Sequence, residues 1–104
     1  MNKSKKARLE KAGWRIGSSQ DFLKLSEAES VLVDIRLALA RALRRARVER
    51  QVSQAALAKQ LRSSQSRVAK MEAGDASVSV DLLVRSLIVA GSTSDEIGRA
   101  ISAA

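Results

Sequence analysis

Residues 53–74, SQAALAKQLRSSQSRVAKMEAG, leave the backbone few choices. Leu57 and Leu61 stand four apart, so a helix would carry both on one face. Ser53 precedes them as a cap whose hydroxyl can accept an unpaired backbone N–H. Ala58 is small enough for another helix to cross closely. Val68 and Met71 repeat the apolar spacing behind a second cap, Ser64, leaving Gln65, Ser66, Arg67, Ala69 and Lys70 on the other faces. Only Arg62 and Ser63 remain between the two patterns to make a turn. Two short helices joined by a tight turn are the predicted unit.

The rest of the chain reads as helix too. There is no proline, five glycines punctuate 104 residues, and Trp14 and Phe22 are the only aromatics, a balance that favours helix over sheet. Ser18 or Ser19 can cap a single turn running to Leu25. Ser26-x-x-Glu29 has the form of a capping box and predicts a long helix from there to about Arg50. Leu32, Ile35, Leu39, Ala42, Leu43 and Ala46 form its apolar stripe. Beyond Gly74, Ser79 caps a helix that turns Leu82, Leu83, Leu87 and Ile88 inward and stops at Gly91. Ser94-Asp95-Glu96 opens a last short helix through Ile97 and Ile101. The length supports one domain with a modest core, all-α and five-helix. Residues 1–25 form a basic arm and extension, and residues 26–104 form the domain.

Net charge is +8, unevenly placed. Residues 1–15 sum to +5, 16–40 to −2, 41–50 to +4, 51–74 to +3 and 75–104 to −2. Cations therefore flank and fill the helix pair, the pattern that attracts phosphates; Arg41, Arg44, Arg45, Arg47 and Arg50 also suit the negative end of a helix dipole. With no His, Cys or Tyr, the commonest general bases and nucleophiles are missing, and no enzyme is expected. No cluster suggests a cofactor or metal, so none is expected. The absence of cysteine fits a cytoplasmic protein, and no apolar run approaches a membrane span or a signal peptide.

The segment LRRARVERQVSQAALAKQLRSSQSRVAKMEAGDASVSVDLLVRSL resembles the Xre family of bacterial regulators and the lambda-type phage repressors. The resemblance rests on the Arg-rich helix before Ser53-Gln54, on Leu57-Ala58, Leu61, Ser64-Gln65-Ser66 and Val68, and on Glu72-x-Gly74 with the apolar helix after it. It covers about the C-terminal two-thirds of the chain. Two positions depart from the family pattern: Arg62 stands where Gly is usual in the turn, and Ser63 where an apolar residue follows. An Arg near left-handed geometry there costs roughly 1 kcal/mol.

The resemblance implies a lambda repressor-like helix-turn-helix domain whose second helix reads a major groove, as a dimer on an inverted-repeat operator. Gln65 and Ser66, in the first turn, suit base edges; Lys70 and Arg67 suit a base or a phosphate. Gln54, Ser64, Arg44 and Arg45 are the phosphate candidates, and double-stranded DNA is the expected partner. The resemblance further pairs Arg47 with Glu72 as a structural ion pair holding the second helix. The extension before the domain looks like that of HigBA-type antitoxins, which implies a ribonuclease toxin as partner. On that reading Trp14, Ile16 and Phe22 form its interface; taken by themselves, the two aromatics are better read as capping the top of a small core. A stand-alone phage-type or housekeeping repressor is the alternative.

Overall fold

Segments free of proline and rich in Leu, Ala, Glu, Lys and Arg fold as helix wherever a capping hydroxyl starts them and a left-handed residue stops them. The computed structural model describes residues 19–104 and shows five helices and no strand among them. They are α1 (Ser19–Glu49), α2 (Gln54–Gln60), α3 (Gln65–Glu72), α4 (Val80–Val89) and α5 (Ser94–Ser102). The protein is all-α, as the sequence predicts.

One boundary differs. A separate turn ending at Leu25 and a fresh start at Ser26 are expected, yet α1 runs unbroken for 31 residues with Ser26 inside it. A capping box starts a helix only where the preceding backbone leaves helical geometry. Between Ser19 and Ser26 there is no glycine or proline to force that departure.

The chain divides into two compact units, Met1–Leu32 and Val33–Ala104. In the described part of the first, Phe22 and Leu25 are half-buried and Leu23 is exposed. Trp14 and Ile16 lie outside the described residues. The second unit holds the core: Leu39 and Leu43 of α1, Leu57 and Ala58 of α2, Val68 and Met71 of α3, Leu83, Leu87 and Ala90 of α4, Ile97 of α5, and Val78 from the loop before α4. Ser86 is fully buried among them, its Oγ donating to the Leu82 carbonyl at 2.8 Å and lying 3.3 Å from Met71 Sδ.

Two apolar residues expected inside are not. Leu32 is 43% exposed, and packing against the core starts only at Ile35. Ile88 is 58% exposed. Ser86 and Leu87 take the inward positions of that turn of α4, and the next residue is rotated roughly 100° away.

Each short helix starts on a hydroxyl. Ser53, Ser64, Ser79 and Thr93 accept from the backbone N–H three residues on, at 3.1, 3.2, 3.1 and 3.2 Å. Thr93 was not legible as a cap beside Ser94. It forms a full capping box, with Glu96 Oε1 accepting from the Thr93 N–H at 3.2 Å. Those hydrogen bonds, with the Thr93 hydroxyl, hold the Glu96 carboxyl below its ordinary pKa.

Candidate nucleic-acid interface

The α2–α3 link contains no slack. Leu61 ends α2 still in helical geometry, Arg62 turns left-handed at φ +53°, and Ser64 already caps α3. The Ser63 N–H donates to the Ala58 carbonyl at 2.8 Å and the Arg62 N–H to Lys59 at 3.1 Å, the paired bonds of a Schellman stop. The turn thus has the form a glycine would take, with arginine in it.

On α3, Val68 and Met71 are completely buried and fix which face looks outward. Ser66, Ala69 and Lys70 lie opposite them, with Gln65 and Arg67 on the two flanks; all five are exposed. The Ser64 Oγ is held by the Arg67 N–H and sits 3.1 Å from Ser66 Oγ, so cap and first-turn hydroxyl form one small polar group. Lys70 faces Asp75, whose carboxyl lies below its usual pKa chiefly because the Ser77 Oγ–H donates to it, then through the Ser77 N–H, with Lys70 a lesser cause.

α3 is held from behind by charge. Arg47 Nε donates to Glu72 Oε2 at 2.6 Å and Nη2 to Oε1 at 2.9 Å, while Nη1 donates to the Val52 carbonyl at 2.9 Å. The two side chains are only 14% and 5% exposed. The hydrogen bond to Glu72 raises the Arg47 pKa above its ordinary value. Gln54 Nε2 joins them, 3.3 Å from Glu72 Oε1. Gln54 is therefore engaged inside the protein through its amide, a role its position in the sequence did not disclose.

The other cations divide into those with work inside the protein and those without. Arg50 donates to the Gly91 carbonyl at 3.0 Å, and Arg85 pairs with Asp81 at 3.1 Å. Arg41, Arg44, Arg45, Lys59, Arg62 and Arg67 are exposed and make no side-chain hydrogen bond or ion pair among the described residues. Arg44 and Arg45 both border a surface depression with Arg41 and Val48, and Arg45 borders a second one as well. In that second groove Arg45 stands with Ala42 and Glu49 on one side and Glu96 and Arg99 on the other, whereas Arg44 is rotated about 100° from it, outside the groove. No three acidic residues gather as a metal site among the described residues. None of the described helices is long and apolar enough to cross a membrane.

Two capped helices with this turn, the second outward and polar at its start, are the geometry of a groove reader. The helix-turn-helix domain family matches residues 38–99, from within α1 to the last turn of α5. The chain belongs to the helix-turn-helix domain family, a DNA-binding family. The match spans the whole core of the second unit and leaves residues 1–37 outside it. No curated protein and no solved structure matches the chain. In helix-turn-helix domains generally, the second helix of the pair, the place α3 holds here, is the one that enters a major groove.

Proposed function

We propose that this helix-turn-helix protein is a sequence-specific transcriptional repressor acting as a dimer on an inverted-repeat operator. The observation that carries the reading is α3 itself. Gln65 and Ser66 stand exposed in its first turn, its inner face is locked by Val68 and Met71, and its far end is clamped by Arg47. Rigid presentation of a few polar side chains is what base discrimination requires. Gln65 is the adenine-type contact, Ser66, Lys70 and Arg67 complete the base-facing set, and Ser64 and Arg44 meet phosphate. Arg45 and Gln54 are secondary phosphate candidates, since Arg45 borders the groove that also holds Glu49 and Glu96 and Gln54 is tied to Glu72. One helix reads too few base pairs alone, so two copies should span half-sites about 34 Å apart or a multiple of that.

The test compares two variants on selected and scrambled duplexes at several salt concentrations. Gln65→Ala should cost about 1–3 kcal/mol on the selected site and relax preference at one base pair per half-site. Arg44→Ala should weaken both duplexes alike and reduce the salt slope by about one. An unchanged ratio of selected to scrambled affinity in Gln65→Ala would refute the placement of α3.

A second reading, an antitoxin that represses its own operon and binds a ribonuclease toxin, is favoured by the segment the family match leaves out, residues 1–37. It contains Trp14, Ile16 and Phe22, of which Phe22 is half-buried. A neighbouring reading frame whose toxicity is suppressed by the full chain and not by Trp14→Glu supports that partner. Toxicity unaffected by the full chain removes it.

A further inference from the structure

We propose that Arg62, in the turn between α2 and α3, grips a DNA phosphate at the edge of the groove that α3 reads. The inference deepens the DNA-binding reading and rests on it. Arg62 holds φ +53°, a conformation that L side chains resist and glycine adopts freely. Every hydrogen bond of the turn is made by backbone, so nothing in the turn requires a side chain here. Strain alone does not mark a function, since Gln51 holds the same geometry; what sets Arg62 apart is the cation it carries into the turn before α3.

The side chain is free to act. Arg62 is exposed, and its guanidinium has no hydrogen-bond or ionic partner among the described residues. Its place is equally telling, two residues before the Ser64 cap of α3. A helix with its side chains is about 10–12 Å across and the major groove about 12 Å wide. Residues that flank the inserted end must therefore pass close to the phosphates lining the groove. A guanidinium there can donate two parallel N–H bonds to one phosphate. Lys59, one helical turn earlier and also exposed, adds to the same positive edge.

The protein carries its own control. Gln51 stops α1 in the same way, at φ +57°, with an uncharged side chain. The experiment uses the full chain with Arg62→Gly, Arg62→Lys, Gln51→Gly and Arg85→Gln, the last removing a cation that is ion-paired on α4. Thermal unfolding and affinity for a mixed-sequence duplex are measured across salt. Arg62→Gly and Gln51→Gly should each raise Tm by a few degrees as the strain is relieved. Arg62→Gly alone should weaken binding, about five- to tenfold at 0.1 M salt, and flatten the log–log salt slope by about 0.9. Arg62→Lys should keep most of that slope. A slope in Arg62→Gly no flatter than in Arg85→Gln overturns the inference while leaving the DNA-binding reading intact. Absence of duplex binding by the unaltered chain overturns both.

Discussion

The clamp behind α3 makes a quantitative prediction. Arg47→Met leaves the Glu72 carboxylate, 5% exposed, with the Gln54 amide at 3.3 Å as its one remaining side-chain hydrogen-bond partner. Glu72→Met leaves a guanidinium, 14% exposed, with only the Val52 carbonyl. Stranding one member of a buried pair typically costs about 3–5 kcal/mol. Part of each side chain still reaches solvent, so each single variant should lose about 3 kcal/mol, the lower end of that range. For a domain of this size that is roughly 12–24 °C in Tm. The double variant should behave differently. It removes both charges together and leaves only the Val52 carbonyl and the Gln54 amide short of partners, groups near enough to the surface for water to reach. Its loss should be about 1 kcal/mol, giving a coupling energy on the order of 5 kcal/mol in the double-variant cycle. Urea unfolding of the four proteins, followed by circular dichroism, supplies the numbers, with equal m-values as the check on two-state behaviour. Additive losses, with coupling below about 1 kcal/mol, would show that the two side chains do not act as a buried pair.

Two further predictions concern helix ends. Gly91 has φ +95°, and a Cβ there would occupy the space of the Arg50 guanidinium that bonds its carbonyl, so Gly91→Ala should cost about 1–3 kcal/mol in chemical unfolding. Arg50→Ala should cost well under half of that, since the bond is exposed, and its addition to Gly91→Ala should restore little, because the backbone strain remains. At the start of α5, the Glu96 carboxyl sits below the ordinary glutamate value of 4.5, so it contributes stability that is present above that pH and is lost as pH falls through the lower folded value. Glu96→Gln should therefore flatten the acid side of a Tm-against-pH curve below about pH 4.5 and leave its shape near neutral pH unchanged; an unaltered acid side would refute the capping role.

Much of this architecture was legible in local chemistry, and the exceptions share causes. Ser53, Ser64 and Ser79 are hydroxyls immediately before apolar helical patterns, so their caps need no tertiary information. Gly74 and Gly91 are likewise visible stops, and both hold positive φ. The stop at Gln51 gives no such sign, because a Schellman turn is set by backbone bonds and tolerates a non-glycine residue at modest strain. Ser26 misled for the opposite reason: its pattern is a start signal, but the helix had already begun. Ile88 shows the limit of apolar spacing. Leucine and isoleucine count alike in a stripe, yet Leu83, Ser86 and Leu87 define the inward face and Ser86 can be buried there because its hydroxyl is satisfied at Leu82, while Ile88 is rotated away. At the interface, the exposed polar set on α3 follows from Val68 and Met71 alone. The groove that Arg45 shares with Glu96 and Arg99 and the capture of Gln54 by Glu72 depend on where helices meet, which spacing does not encode.

The shortness of α3 ties reading to folding. Eight residues make little more than two turns, far below the length at which an isolated helix persists in water. Its cap on Ser64 and its left-handed stop at Gly74 contribute, but only the burial of Val68 and Met71 and the grip of Arg47 on Glu72 hold it in place. Gln65 and Ser66 therefore have a defined direction only while the core is formed. Core damage and contact damage should then differ in kind. Loss of Met71 packing lowers the fraction of molecules able to bind and so weakens all duplexes together. Loss of Gln65, on the proposed reading of α3, should leave the folded fraction alone and change which duplex is preferred. The four-residue passage from Leu61 to Ser64 reinforces this, because it is too short to let α3 reorient independently of α2. The helix pair moves as one body, and a substitution that tilts either helix alters the register of every proposed base contact at once.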